Sequence, residues 1–484
     1  MPPISRYALR FTLAMAAIRA SGAPLDVTAG GRHLQLHEFT EGSFGLFEVA
    51  RPVRIEIRAD FNVRWVDVRP LSLGIRATIA PDHSTVTFTL PSPSPVTVEF
   101  NDDLTHVLHL LAYAPDLGTP HEGDPGVRYF GPGFHNAGMI DLHDHETLYL
   151  APGAWVRGSV RSVGTTGVSI RGRGVLDGTS LTAAPSQAAQ SSTPSAVRAE
   201  DYGMGRRNLI YLFHTKGAKI EGITLFGSSG WTVVLRQADG TQVDGIRILN
   251  PSENYGDDGI DVVSSSGVAI RNAFIRTNDD CIAVKNLDDV PMRDVSASGC
   301  VIWNMPTGGN ALEVGFELGS APVTNISFSN MDIIHVERGA ALSIHQGDSG
   351  LVDDVSYDDI RVEDVRRKLF DFAVLYAAYG LDKPATPADL ARRRDTGGVW
   401  DGELRLTPSE HAALAPGRGR ITNVRIHNLS VVSGALPYSI VSGYDAGHPV
   451  SDVHVDGLSY LGRRITSPAE AKIVLEDAPG FEFH

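Results

Sequence analysis

Two cysteines in 484 residues, Cys281 and Cys300, leave no disulfide scaffold and no thiolate zinc cluster. The sequence keeps two outcomes open for them, pairing with each other or standing as free buried thiols. No apolar run approaches the roughly 20 residues a helix needs to cross a bilayer. Basic residues are in the minority, 42 Lys and Arg against 57 Asp and Glu, for a formal net charge of −15. That balance argues against nucleic acid and against a polyanionic polymer as partner, since long-range repulsion slows encounter. Sustained helical periodicity is missing as well. Glycine is plentiful at 50 residues, which suits many tight turns and few long helices.

Texture divides the chain. In residues 1–24, Arg6 and Arg10 precede the apolar stretch Phe11–Ile18, and Ser21-Gly22-Ala23 suits a cleavage site, while Arg19 interrupts the pattern. A secretory leader and an ordinary first element both fit. A secreted or cell-envelope location is the expectation, with the cytoplasm as alternative. Residues 25–117 read as short alternating strands, such as Val53–Ile57, Ala77–Ile79 and Thr85–Leu90, separated by Pro, Asp and Ser turns. That predicts a small antiparallel β-sandwich. A Pro/Gly-rich connector, Gly118–Pro132, opens the remainder, 118–484.

There a unit recurs: two apolar residues flanking one position, then Gly, Asn or Asp. It appears as Val168-Ser-Ile170-Arg-Gly172, Lys219-Ile220-Glu-Gly222, Gln242-Val243-Asp-Gly245 and Val268-Ala-Ile270-Arg-Asn272. It returns at Ala297, Phe328, Tyr357, Ile426 and Val455. Steps in the twenties to low thirties, with strand signals between them, predict a solenoid, read here as a right-handed parallel β-helix. The Gly/Asn/Asp position suits a corner needing left-handed dihedrals. The sandwich is expected to dock at or near the N-terminal side of this solenoid. The repeat fails between about 366 and 419, where an insertion with a short helical signal at Thr386–Arg394 carries Tyr376, Tyr379, Arg392–Arg394 and Trp400. Such an insertion is either a plain surface excursion or a loop that closes one end of a cleft, which would favour action on chain ends.

The chemistry-bearing residues lie in two stretches, Asn254-Tyr-Gly-Asp257-Asp258-Gly-Ile-Asp261 and Thr277-Asn-Asp279-Asp280-Cys281-Ile-Ala-Val-Lys285. With a period in the low twenties, Asp258, Asp279 and Asp280 fall on neighbouring coils of one face. Clustered carboxylates repel, so one holds a proton near neutral pH while another stays ionised. Cleaving a glycosidic bond needs that pair, an acid for the leaving oxygen and a base for water. Asp261, Asp288, Asp289, Asp353 and Asp354 read as a solvated face.

The motifs at 257–261 and 278–283 resemble the central motifs of the pectinase family, glycoside hydrolase family 28. The later runs Cys300-Val-Ile-Trp303-Asn, Ala311–Phe316 and Asn325–His335 look more like sister family 49, which includes dextranases and also carries a β-sandwich before its β-helix. The resemblance implies an inverting hydrolase needing no cofactor and no metal, with Asp279 as general acid and Asp258 and Asp280 positioning and deprotonating water. The family's Gly-His-Gly motif falls at Asn310-Ala311 here, and its Arg-Ile-Lys motif, which binds a substrate carboxylate, at Ser343-Ile344-His345. Without those groups a galacturonate polymer is disfavoured and a neutral, α-linked poly- or oligosaccharide favoured.

Secondary substrate-binding candidates are Lys285, Glu313, Trp231, His345 and Asn310. Lys285 is either a surface lysine or a cation that binds hydroxyls or depresses a neighbouring pKa. Glu313 is a sugar ligand or a fourth acid. Trp231 is a stacking platform or a core filler. His345 and Gln346 sit on a later coil, where a solvated histidine is the plainer expectation, and Trp303 reads as packing. The rivals are a polysaccharide lyase or epimerase, which wants Arg or Lys near the acids, and a silent carbohydrate-binding solenoid, which has no reason to keep three converging carboxylates without basic partners.

Overall fold

The computed structural model describes residues 24–181, 208–251, 256–306, 308–377, 380–381 and 406–484. The repeated apolar positions stack as one column. Ile170 lies opposite Ile220, followed in register by Val243, Ile270, Ala297, Phe328, Tyr357, Ile426 and Val455, every pairing parallel. The side chains of this column are buried in one continuous core. The solenoid is therefore a parallel β-helix. Its corners carry the punctuation the repeat announced. Asn272, Asn330 and Asn428 sit at φ of 54°, 50° and 54°, a left-handed conformation that asparagine tolerates better than most residues. Asn272 also donates to Asp244 and Asn428 to Asp359, each at 2.9 Å, so side chains tie successive corners together.

Each coil has three faces. The column above forms face two. Face one comprises the strands Ile210–Phe213, Val233–Arg236, Ile260–Val263, Ile282–Lys285, Leu312–Phe316, Ala340–Gln346, Lys368–Val374 and Tyr438–Ser442. Face three includes Val175–Asp177, Thr224–Phe226, Arg247–Leu249, Phe274–Thr277 and Val301–Asn304.

Ahead of the solenoid, two five-stranded sheets enclose their own apolar core. They are not wholly antiparallel. Gly42–Glu48 runs parallel to Asp103–Tyr113, because the chain crosses the other sheet between them and returns in the same sense. The sandwich does not cap the N-terminal end of the solenoid. It lies along face three, where Phe44, Val107 and Leu111 pack among Val175, Phe226, Leu249, Phe274, Val301 and Trp303, residues from successive coils. Apolar side chains pointing outward from face three need a cover, and the sandwich supplies it. The packing role expected of Trp303 is realised here.

The stack also continues past 366. Lys368–Val374 keeps register with Ala340–Gln346 on one side and Tyr438–Ser442 on the other. Its alternation places Phe370 and Phe372 in the core, a strand pattern that lacks the Asn/Gly corner by which the repeat is recognised. A helix at Pro408–Leu414 precedes the return at Arg420–Val431, its first turn held by a capping box between Thr407 and Glu410. Tyr376 is buried, with the Arg418 guanidinium 5.3 Å from its ring centre. Tyr379, Arg392–Arg394, Trp400, the helical signal at 386–394 and nearly all of the 1–24 segment lie outside the described residues.

Candidate active site

Along face one, alternate residues point in and out. Ile260, Val262, Ile282, Val284, Leu312, Val314, Leu342, Ile344, Phe370 and Phe372 enter the core. The outward row runs Asp261 and Val263, Ala283 and Lys285, Glu313 and Gly315, Ser343 and His345, Asp371 and Ala373. Immediately before two of these strands the chain turns a corner, and those corners bear Asp257-Asp258 and Asp279-Asp280. Asp258 and Asp280 each stand two residues before in-register partners, Ile260 and Ile282, and the Gly259 amide donates to the Asp280 carbonyl at 2.8 Å. The trio is thereby on adjacent coils of one face.

Asp279 is half-buried, and its carboxylate accepts the Asp280 amide at 3.0 Å. Asn304 and Thr277 both donate to its backbone carbonyl at 2.9 Å, which sets the corner rigidly. Asp258 and Asp280 are only 2 % and 6 % exposed. The outward side of a solenoid is not automatically wet, because neighbouring coils and corners cover it.

The expectation of a surface Lys285 is overturned for the same reason. It is buried, with Nζ 2.8 Å from Asp258 Oδ2, 3.3 Å from Asp261 Oδ1, 4.0 Å from Glu317 Oε2 and 3.8 Å from the Trp231 ring centre. Burial opposes its charge, but Asp258, Glu317, Asp261 and Asp280 outweigh that and hold the ammonium well above its ordinary pKa. Trp231 is half-buried and packs beside Tyr211, Val234, Val263 and Leu287 on the outer surface of face one rather than inside the solenoid.

Asp261, expected to be solvated, is fully buried. Burial first, then the Asp258 charge, push its carboxyl well above the usual range. Asp280 is pushed the same way by burial and by Asp279, Glu313 and Asp258. Asp257, which donors on Asn278 hold at 3.2 Å, rises to about 8 through burial against those hydrogen bonds. Asp257, Asp261 and Asp280 thus favour keeping protons, and the Lys285 ammonium stands beside Asp258.

On the other flank Asn310 gives its amide to Asp280 Oδ1 at 2.7 Å and its side-chain nitrogen to Glu313 at 2.9 Å. Glu313 is fully buried and is bonded by the Ser343 hydroxyl and by His345 at 2.9 Å. His345 is not solvated. Its second nitrogen meets Asp371 at 3.1 Å, and Lys368 completes the chain on Asp371. Burial lowers the imidazole's affinity for its proton, yet Glu313 and Asp371 raise it to about 9. Asp371 falls to about 2, burial being overcome by Lys368 and His345. Gln346 is buried and donates to the Gly350 carbonyl at 3.0 Å.

Of the other acids read as solvated, Asp288 grips Arg236 at 2.5 Å and Asp289 accepts the Ser320 and Ala321 amides. Asp353 and Asp354 are half-buried, Asp354 on a left-handed corner. Cys281 and Cys300 are both free and buried. Sequence reasoning passed over Asp257, Glu317 and Asp371 as site-forming acids. For Asp371 a signal exists, since it stands in the outward row one coil beyond Ser343.

Paired carboxyls are the groups that cleavage of a glycosidic bond uses, and here they gather at the corners of one outer face of a parallel β-helix. Residues 151–372 match glycosyl hydrolases family 28. A polygalacturonase of Juniperus ashei is 26% identical over 162 residues, 33% of this chain and 30% of that protein. A probable endopolygalacturonase D of Neosartorya fischeri is 28% identical over 155 residues, 31% of this chain and 28% of that protein. The alignments therefore span less than a third of those relatives' own length. Dex49A from Penicillium minioluteum shares the fold across 92% of this chain and 83% of its own, with a TM-score of 0.60 at 13% identity. In this match and in its fold the chain is similar to the polygalacturonase and dextranase clan of β-helix proteins.

Proposed function

We propose that this protein is an inverting glycoside hydrolase that cleaves α-linkages in a neutral poly- or oligosaccharide. The observation that carries the reading is the trio Asp258, Asp279 and Asp280 on adjacent corners of face one, with the Lys285 ammonium against Asp258 and burial favouring a proton on Asp280. In the reaction, Asp279 gives its proton to the glycosidic oxygen as the bond from the anomeric carbon to that oxygen breaks. Water adds to the opposite face of the anomeric carbon, and its proton passes to the Asp258/Asp280 pair. An inverting site needs room for that water, with acid and base carboxyls roughly 6.5–9.5 Å apart.

The preference for a neutral sugar rests on the positions where the family's pectinases carry Arg and Lys. Ser343 is bonded to Glu313, and His345 is held between Glu313 and Asp371, so neither is available to a substrate carboxylate. The relatives named polygalacturonases support a second reading, hydrolysis of galacturonan. A lyase or epimerase reading is weakened because Lys285, a cation beside the acids, is engaged by Asp258, Asp261 and Glu317. Lys285 also removes the argument that these acids converge without a basic partner. Against a silent binding solenoid there remain the raised carboxyls of Asp257, Asp261 and Asp280, which suit proton transfer better than sugar binding.

Product chromatography across α-glucans, arabinans, galactans, fructans and polygalacturonate tests both readings of the substrate. The expected result is release from a neutral glycan and none from polygalacturonate; the reverse pattern rejects the neutral-sugar reading. Proton NMR of the first-formed anomer should show inversion, and retention would reject the assignment of roles.

A further inference from the structure

The two carboxyls offered to water do not stand in equivalent places. Asp258 Oδ2 receives the Lys285 ammonium at 2.8 Å, and Lys285 is walled in by Asp261, Glu317 and the Trp231 ring. Asp280 instead receives neutral donors, the amide and side chain of Asn310 at 2.7 and 3.3 Å, and its near neighbours Asp279 and Glu313 are acids. We propose that Lys285 is a positioning residue that divides this pair, holding Asp258 ionised as the base that takes the proton of water while Asp280 keeps its own proton and serves as a donor. The inference rests on the hydrolase reading and sharpens it from a shared pair to a single base.

Three further features agree. Lys285 occupies an outward strand position in register with Val263, one residue pair from Asp261, so the strand itself aims its stem across the Asp258 corner. At 4 % exposure the ammonium cannot reach far to a substrate, and its partners are all on the chain. Asp261 has neither oxygen in a hydrogen bond of good geometry, which is costly for a charged carboxylate and much less so for a neutral acid leaning on its neighbour. A protonated Asp261 leaves Asp258 as the principal anion facing the lysine. The groups facing Lys285 are therefore Asp258 and Asp280 from the corners, Asp261 from the preceding strand, Glu317 from beyond Leu312–Phe316, and Trp231.

The test uses the full chain and the substrate found active in the glycan screen. An ammonium beside a carboxylate lowers its pKa, so Lys285→Met should move the acid limb of the kcat/KM profile upward by about one pH unit or more. Lys285→Arg, which keeps the charge, should leave the limb near its original place. A limb unmoved in Lys285→Met, with activity lowered equally at all pH or with KM alone raised, would overturn the proposal in favour of a structural or substrate-binding lysine. Should Lys285→Met fail to fold, carbon-13 NMR of aspartate-labelled wild type still decides. The carboxyl signal missing in Asp258→Asn should be ionised near neutral pH and the one missing in Asp280→Asn protonated; the opposite order overturns the inference. Asp279→Asn serves as the separate control. If that variant keeps full activity, the hydrolase assignment fails whatever Lys285 does.

Discussion

At the seam between sandwich and solenoid, Arg69 reaches Glu99 at 2.8 Å and Glu363 at 2.7 Å, while His335 stands between Glu99 at 2.6 Å and Asp364 at 3.1 Å. On face one, Asp258, Asp261, Asp280 and Glu317 crowd around the single ammonium of Lys285. Both groups are buried and both are charged, yet their stoichiometry differs. The seam sets two cations among three acids in alternation, so that every acid there touches a cation. Around Lys285 cations are short, and burial with the neighbouring acids makes Asp261, Asp280 and Glu317 favour keeping protons. Alternating charge holds two bodies together; a surplus of buried acid leaves protons on carboxyls, as the proposed reaction requires. A buried cluster should therefore be judged by its balance of charge before its size.

Removing a proton donor on face one should have the largest effect. Asp279→Asn is expected to lower kcat by about 10²–10⁴-fold on a substrate with a poor leaving group, and Asp258→Asn to cost as much or less, both read by steady-state kinetics. Stability should move little in Asp279→Asn, because that side chain is only half-buried. Asp258→Asn and Asp280→Asn exchange buried groups and should shift thermal melting as well.

At the seam the consequences should reverse, with stability lost and chemistry kept. Arg69→Met strips Glu363 of its cation and leaves Glu99 only His335 in the interface, and breaking a buried pair in this way typically costs ~3–5 kcal/mol. Denaturant unfolding measures the loss, and kcat below the melting range should stay close to that of the unaltered protein. The seam should also respond to pH. Burial pushes Glu363 up to about 7 despite Arg69, and the hydrogen bonds His335 donates to Asp364 and Glu99 hold its imidazole above its ordinary value despite burial. Both folded values exceed the unfolded ones, so each group's contribution is full below its unfolded pKa and is lost as pH rises through the folded one. Glu99 and Asp364 are held low, and their contribution is lost as pH falls. Melting temperature should peak in mildly acidic buffer and decline as pH rises towards and through 7, and Glu363→Gln should flatten the part of that decline below about pH 7. An unchanged slope there would remove Glu363 from the account. The smallest effect belongs to the cysteines: with both thiols free, a reductant should leave the melting temperature unchanged.

Much of this architecture was legible in advance. The column Ile220, Val243, Ile270, Ala297, Phe328 and Tyr357 was countable as a period, because a stacked coil must return an apolar side chain to the same place on each turn. The corner asparagines were equally visible, since few residues accept their dihedrals. Within the site, the trio of acids was legible from spacing, and the absence of the pectinase cations from the residues at Ser343 and His345. Alternation also ranked Asp261 and Lys285 correctly as outward. It misjudged what outward means, because period two distinguishes the two sides of a strand and says nothing about what covers the outer one.

Sequence by itself thus determined the periodic part of the protein: the parallel β-helix, its corners, and the placing of Asp258, Asp279 and Asp280 on neighbouring coils. These follow from local dihedral preference and from the repeat length, both properties of contiguous residues. Tertiary structure alone decided that the sandwich lies along face three, that Asp261 and Lys285 are sealed beneath the site, and that His345 is held between Glu313 and Asp371. Those outcomes depend on partners from 24 to 54 positions away along the chain, or in another domain. Burial and ion pairing are properties of the assembled neighbourhood, which no short stretch of residues contains.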